Sequence, residues 1–151
     1  EPAWKTFEDL DPGDYLFELF EPGDHGFLRE VIDKKDPSAI STFVSWNLRV
    51  LRPEEFANRR HGHMTMLRAN QAKLAMAKGP YDPSGFTKQF LKEIGVTTEF
   101  NGVTQVLDEY VTDGEPDPYK MIGVRFWGSI RKGANPNQPD RAGLTKCWPE
   151  D

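Results

Sequence analysis

The sequence predicts a mainly β domain with helical insertions, an α+β chain built on a small antiparallel barrel or sandwich. Three observations carry this. Period-two apolar alternation recurs towards both ends of the chain, strong helix formers are concentrated in its middle, and Gly- and Pro-containing turns separate the segments. At 151 residues, with 37% hydrophobic residues including ten Phe and four Trp, the chain is long enough for one domain with its own core. It is too short for two ordinary domains, so residues 1–151 are read as one.

The elements follow in order. Asp11-Pro12-Gly13-Asp14 is a turn. "DYLFELFE" after it places Tyr15, Phe17 and Leu19 on one face and Leu16, Glu18 and Phe20 on the other, as a strand does. "EPGDHG" makes a second turn, and "FLREVID" is expected to be a short strand forming a hairpin with the first. The clearest alternation is "TFVSWNLRVLRP", with Val44, Trp46, Leu48 and Val50 inward, Phe43, Ser45, Asn47 and Arg49 outward, and Pro53 as its end.

From Pro53 to Val96 the pattern turns helical. "RANQAKLAMAKG" is rich in helix formers and stops at Gly79-Pro80. "YDPSGFTKQFLKEIGV" reads as a second helix, with Asp82 as N-cap, Pro83 at the first helical position, Phe86, Phe90, Leu91 and Ile94 as the apolar stripe, and Gly95 as terminator. "VTQVLDEYV" reads as a third, shorter helix, which extends the helical insertion over about 67–110. After the loop "TDGEPDP", "MIGVRFWGSIR" (121–131) is a strand with Ile122, Val124, Phe126, Gly128 and Ile130 on its core face. "RKGANPNQPDRAG" has no apolar residue larger than Ala, which predicts a mobile loop over about 132–143 before a last short strand near "LTKCW".

Composition excludes several function classes. No run approaches the ~20 apolar residues of a membrane-spanning helix, and the sequence from Glu1 lacks a basic-then-apolar secretory pattern. Cys147 stands alone, so no internal disulfide and no thiolate zinc cage is possible; a reducing, cytoplasmic setting is expected. His61 and His63 sit two apart, with His25 as a third candidate, but no carboxylate or thiolate lies at diagnostic metal spacing beside them, which favours an exposed loop pair over a zinc site. Asp113, Glu115 and Asp117 alternate as in calcium loops, yet Pro116, Pro118 and the missing Glu at the twelfth position favour an acidic turn. Cys147, beside Trp148, reads as a partly buried thiol. There is no GxSxG, GxxxxGK[ST] or GxGxxG. No catalytic residue, metal or cofactor is expected.

What remains is a binding surface. The net charge of −5 hides a gradient: residues 1–46 hold four basic and eleven acidic residues, 47–92 nine and three, and 93–151 six and ten. Local sign governs contacts within a Debye length of ~8 Å, and the basic middle third contains Arg59 and Arg60. The second face of the 121–131 strand carries Arg125, Trp127 and Arg131, with Lys132 following, and the outward face of the earlier strand carries Phe43, Asn47 and Arg49. Rings that stack on bases among cations that hold phosphates are what a single-stranded nucleic acid needs. A helix packed on the same face would instead bury Trp127 as ordinary core. Both readings of Trp127 stand at this level.

The order of elements resembles a family of small phage-encoded proteins, single-stranded-DNA-binding or of unknown function, found among replication and recombination genes. The resemblance lies in "PGDYLFEL", "FVSWNLRVL", "FLKEIG" and the closing "IGVRFWGSIRKG" with "NPNQP". Such proteins are similar to OB-fold barrels with added helices. The resemblance implies an OB-like domain that binds single-stranded DNA without strong sequence preference and coats or delivers the strand in the host cytoplasm. Replication or recombination proteins and further copies of the chain are the implied partners. The alternative is a phage structural or assembly protein whose aromatic face is a protein interface. A metal-dependent enzyme using His61, His63 and acidic loop residues ranks last.

Overall fold

The computed structural model describes residues 10–24, 26–70, 74, 82–134 and 139–150. In chain order the elements are β1 (Gly13–Leu19), β2 (Leu28–Ile32), β3 (Ile40–Arg52), β4 (Arg60–Arg68), the helix α1 (Gly85–Glu93), β5 (Thr97–Phe100), β6 (Val103–Val106), β7 (Val111–Thr112), β8 (Glu115–Pro116), β9 (Arg125–Lys132) and β10 (Ala142–Pro149). The fold is mainly β, and among the described residues the strands pair antiparallel and Gly85–Glu93 is a short helix.

β3 is the spine of a six-stranded sheet. Its Arg49 is paired with Glu18 of β1 and also with Arg60 of β4, and its Phe43 with Arg29 of β2 and also with Met66 of β4. A strand has only two edges. With β4 along one, β1 and β2 lie end to end along the other. The expected β1–β2 hairpin is therefore corrected: each pairs with β3, and β1 pairs on its far side with β9, which pairs with β10.

The sheet does not close into a barrel among the described residues, because its outer strands β4 and β10 do not pair with each other. The helix spans the gap instead. The Thr87 hydroxyl lies 2.7 Å from both the Thr65 hydroxyl and the Met66 carbonyl on β4, while Glu93 Oε1 accepts from the Cys147 amide of β10 at 2.9 Å. Four strand spacings of ~4.8 Å would hold these strands ~19 Å apart in a flat sheet, wider than a helix. The sheet must therefore curl around α1. The Phe90 ring marks the centre of the curl, 5.1 Å from His63 and from Trp46 and 5.7 Å from Phe126.

The core is legible in the alternation. Val44, Trp46, Leu48 and Val50 are buried with Tyr15, Phe17, Phe126 and Ile130. Gly128 is a close-approach position: a Cβ there would stand 2.5 Å from Leu144 Cδ1 and 2.9 Å from Phe17 Cε2. In α1, Phe90 and Leu91 are buried, as is Ile94 at its C-cap, and Gly95, at φ +85°, ends the helix. Phe86 is corrected from stripe to surface, 79% exposed, with Thr87 turned inward in its place. The helix begins two residues later than expected. Asp82 orders the preceding turn, accepting from the Ser84 amide and hydroxyl, and pairs with Lys88 at 2.8 Å.

Other boundaries move. Residues 60–68, expected within the non-strand region, are β4. The helix expected at 103–111 is instead β6 and a 3-10 turn at Asp108–Tyr110. β5 and β6 form a hairpin around Asn101-Gly102, whose φ values of +51° and +76° match the two-residue turn that Asn-Gly favours. The acidic segment is a second small hairpin, β7–β8, and Asp117 caps the following 3-10 turn by accepting from Tyr119 N. Residues 121–124 precede β9, so Ile122 lies outside the strand and is exposed. β10 starts at Ala142, which shortens the loop after β9; its residues 135–138, and most of the helix expected at 68–79, lie outside the described residues. Within that helix Leu74 is described, helical, with its amide on the Asn70 carbonyl.

Candidate nucleic-acid interface

The face of the sheet opposite α1 carries the candidate site. Trp127 of β9 is opposite Trp148 of β10 on one side and Leu16 of β1 on the other, and Leu16 is opposite Arg52 of β3. Residues directly opposite in antiparallel strands point to the same face. Trp148, Trp127, Leu16 and Arg52 thus form one row across four strands. Together with Arg125, Pro149 and Glu150 they line a shallow depression of about 370 Å³. Leu16 is its buried floor, and both indoles are half-buried.

Two β-bulges build this row. Between Leu16 and Phe17 the β1–β3 register shifts, so that Phe17 meets Val50 while Leu16 meets Arg52, and Leu51 is the extra residue. The bulge turns Arg52 out of the face occupied by Val44 to Val50. A second shift between Leu144 and Lys146 places Cys147 inward, opposite Gly128, and Trp148 outward. Burial, with Glu93 nearby, pushes the Cys147 thiol up to about 12, so it stays protonated and inert.

The next row holds the charges. Glu18 lies between Arg125 and Arg49 and forms an ion pair with Arg49, whose guanidinium also sits 5.1 Å from the Phe20 ring. Arg125 pairs with Glu150 at 2.7 Å. Among the described residues Arg52 makes no ion pair. It is the guanidinium best placed to meet an anion beside the indoles.

The other expected site residues are placed as follows. β3 and β9 are not neighbours, because β1 lies between them, so the anticipated merging of their aromatic and basic residues does not occur directly. Phe43 is half-buried opposite Met66, nine positions along β3 from Arg52. Asn47 is buried, donating to the Glu21 carbonyl at 2.7 Å and approached by Arg60 Nε at 3.5 Å; it holds structure. The Arg59 guanidinium stacks 4.8 Å from the Phe56 ring. Arg131 and Lys132 are exposed at the end of β9, with Arg131 donating to the Ile130 carbonyl and lying 4.0 Å from Asp14. The face thus brings together Arg125 and Trp127 and adds Arg52 and Trp148, which residue parity alone had not singled out.

The histidine pair is corrected from an exposed loop to the inner face of β4. His61 is buried near Phe17, and His63 lies against Phe90, where burial, with the His61 imidazole adjacent, pushes its pKa down to about 4. Among the described residues no three His, Cys, Asp or Glu side chains are grouped to hold a metal, and no helix is long and apolar enough to cross a membrane.

No protein-family model, curated protein or solved structure matches the chain. The functional reading therefore rests on the geometry.

Proposed function

We propose that this protein binds single-stranded DNA without strong sequence preference, through the open face of its sheet. The observation that carries the reading is the row Trp148–Trp127–Leu16–Arg52: two indoles at the height of one cation, over a shallow depression too open to enclose a small metabolite. Each base stacked on an aromatic ring contributes ~1–3 kcal/mol, whatever its identity, so such a face holds a strand without reading it. Arg52 would meet one phosphate, Arg125 a second once released from Glu150, and Arg131 and Lys132 would extend the path along β9. In this reading the curled sheet with α1 across its gap is an OB-like arrangement in which a helix replaces the closing strand contact. The resemblance to phage replication and recombination proteins gives the setting: coating or delivering a strand in the host cytoplasm.

The test is a fluorescence titration with labelled oligo(dT) and with a duplex of equal length at two salt concentrations. Tighter binding to the single strand, weakening as salt rises, is expected because phosphate neutralisation releases counterions. Equal or undetectable binding of both at ~50 mM salt would remove the reading, and would favour an assembly protein whose tryptophans meet another protein.

A further inference from the structure

The bulge that turns Trp148 outward also turns out Lys146. Leu144 is opposite Ile130 on the core face, and by parity Lys146 belongs with it. The register shift at Thr145, whose hydroxyl lies 3.1 Å from the Ser129 carbonyl, instead sets Lys146 opposite Ser129, on the face that carries Trp127. The β9–β10 ribbon therefore presents four successive rows on this face: Arg125 paired with Glu150, Trp127 with Trp148, Ser129 with Lys146, and Arg131 with Gly143. Rows on one face of a strand recur every two residues, ~6.8 Å, so the four span ~20 Å. Ser129 is short and buried, and Gly143 beyond it has no side chain, so Lys146 is what fills the interval between the indoles and Arg131.

The ammonium of Lys146 is exposed and is not neutralised by a neighbour. Arg125 pairs with Glu150, Arg49 with Glu18, and Arg131 lies 4.0 Å from Asp14, whereas Lys146, like Arg52, makes no ion pair among the described residues. Asp14 shares its row but stands two strands away, ~10 Å, on the far side of β9. Glu93 is turned to the Cys147 amide from the α1 side. A lysine on an edge strand can serve merely to deter pairing with another chain. That role needs no particular neighbours, and Lys146 stands one row from two half-buried indoles and one row from a second cation.

We propose that Lys146 is a phosphate-binding residue of the tryptophan face, holding the backbone of a single strand that runs along the β9–β10 ribbon from Arg125, over the two indoles, to Arg131 and Lys132. The inference rests on the single-strand reading and adds to it a contact residue and a direction for the strand. Its ligand is the phosphodiester backbone, so its contribution is the same for every base sequence.

Titrations of labelled oligo(dT), a mixed-sequence oligonucleotide and a duplex of equal length across a salt series test it, with Lys146→Gln, Lys146→Arg and Lys34→Gln. Lys34 is an exposed cation between β2 and β3, outside the ribbon, and controls for the loss of one positive charge. Lys146→Gln should weaken binding to both single strands by the same factor and lower the slope of log affinity against log salt by roughly 0.7, as for one phosphate contact on a single strand. Lys146→Arg, which keeps the charge, should keep the slope, and Lys34→Gln should match the wild type. All three should melt as the wild type does, since both lysines are exposed. A wild type with no preference for the single strand would remove the single-strand reading and this inference with it. A wild type with that preference, and Lys146→Gln binding no more weakly than Lys34→Gln, would overturn the inference alone and leave Lys146 as an edge-strand charge. A slope lowered equally in Lys146→Arg would also overturn it, because a cation at this position would then not be what the strand meets.

Discussion

Trp127 and Trp148 stand directly opposite each other on β9 and β10, on the face of the sheet turned away from α1. Neither indole is sealed into the main core, which lies on the other side of the sheet around Phe90, Trp46 and Phe126. Large aromatic rings kept half in water are costly decoration for a surface with no ligand, and the neighbouring Arg52 makes the pair chemically useful.

Removing either ring should separate stacking from charge. Trp127→Ala and Trp148→Ala are each expected to weaken oligonucleotide binding by ~1–3 kcal/mol while leaving the dependence of log affinity on log salt nearly unchanged. Arg52→Glu should weaken binding and flatten that dependence by roughly 0.7 for a lost phosphate contact. Titrations at several salt concentrations measure both. Unaltered binding by all three folded variants would place any nucleic-acid site elsewhere.

The Arg125–Glu150 pair should compete with phosphate. Surface pairs of this kind contribute ~0–1 kcal/mol, little enough for a phosphate to replace the carboxylate. Glu150→Gln is therefore expected to tighten single-strand binding and steepen its salt dependence, with small change in urea stability. Weaker binding in this variant would show that Glu150 organises the site.

Gly128→Ala tests the close packing between sheet and β10. The added methyl would meet Leu144 Cδ1 and Phe17 within 3 Å, so overpacking should lower stability by ~1–3 kcal/mol. Chemical denaturation checks this. A neutral result would mean that Leu144 rotates aside at no cost.

His63 should make the fold sensitive to mild acid. In the folded chain it stays neutral down to about pH 4, whereas the unfolded side chain takes up a proton near 6.5. Between those values the unfolded state binds more protons, so this contribution to stability is intact above about 6.5 and falls as pH falls, by up to ~1.4 kcal/mol per unit, levelling off below about 4. Urea midpoints from pH 7 to 4.5 should fall less steeply in His63→Leu than in the wild type. Parallel profiles would show that His63 takes up its proton as readily in the folded chain as in the unfolded one.

The sequence by itself determined the features that depend on near neighbours in the chain. Strand alternation marked Val44, Trp46, Leu48 and Val50, and helical spacing with Gly95 marked the Phe90–Leu91–Ile94 stripe, because burial on one face imposes a local period. The Asn101-Gly102 dipeptide also held a hairpin signal, which the neighbouring helix-compatible residues obscured. The site depended on more. By parity Arg52 belongs with Val50 on the core face, and only the extra residue Leu51 turns it outward. Trp148 reaches the same row through a second bulge, and Arg49 loses its free charge because β1, from a distant part of the sequence, lays Glu18 beside it. Histidines that read as polar loop residues face inward, His61 buried and His63 half-buried against Phe90, because β4 pairs with β3 beneath α1. Bulges, strand order and ion pairs across strands are set by which edges meet, and edge pairing is decided by the packing of the whole sheet around its helix.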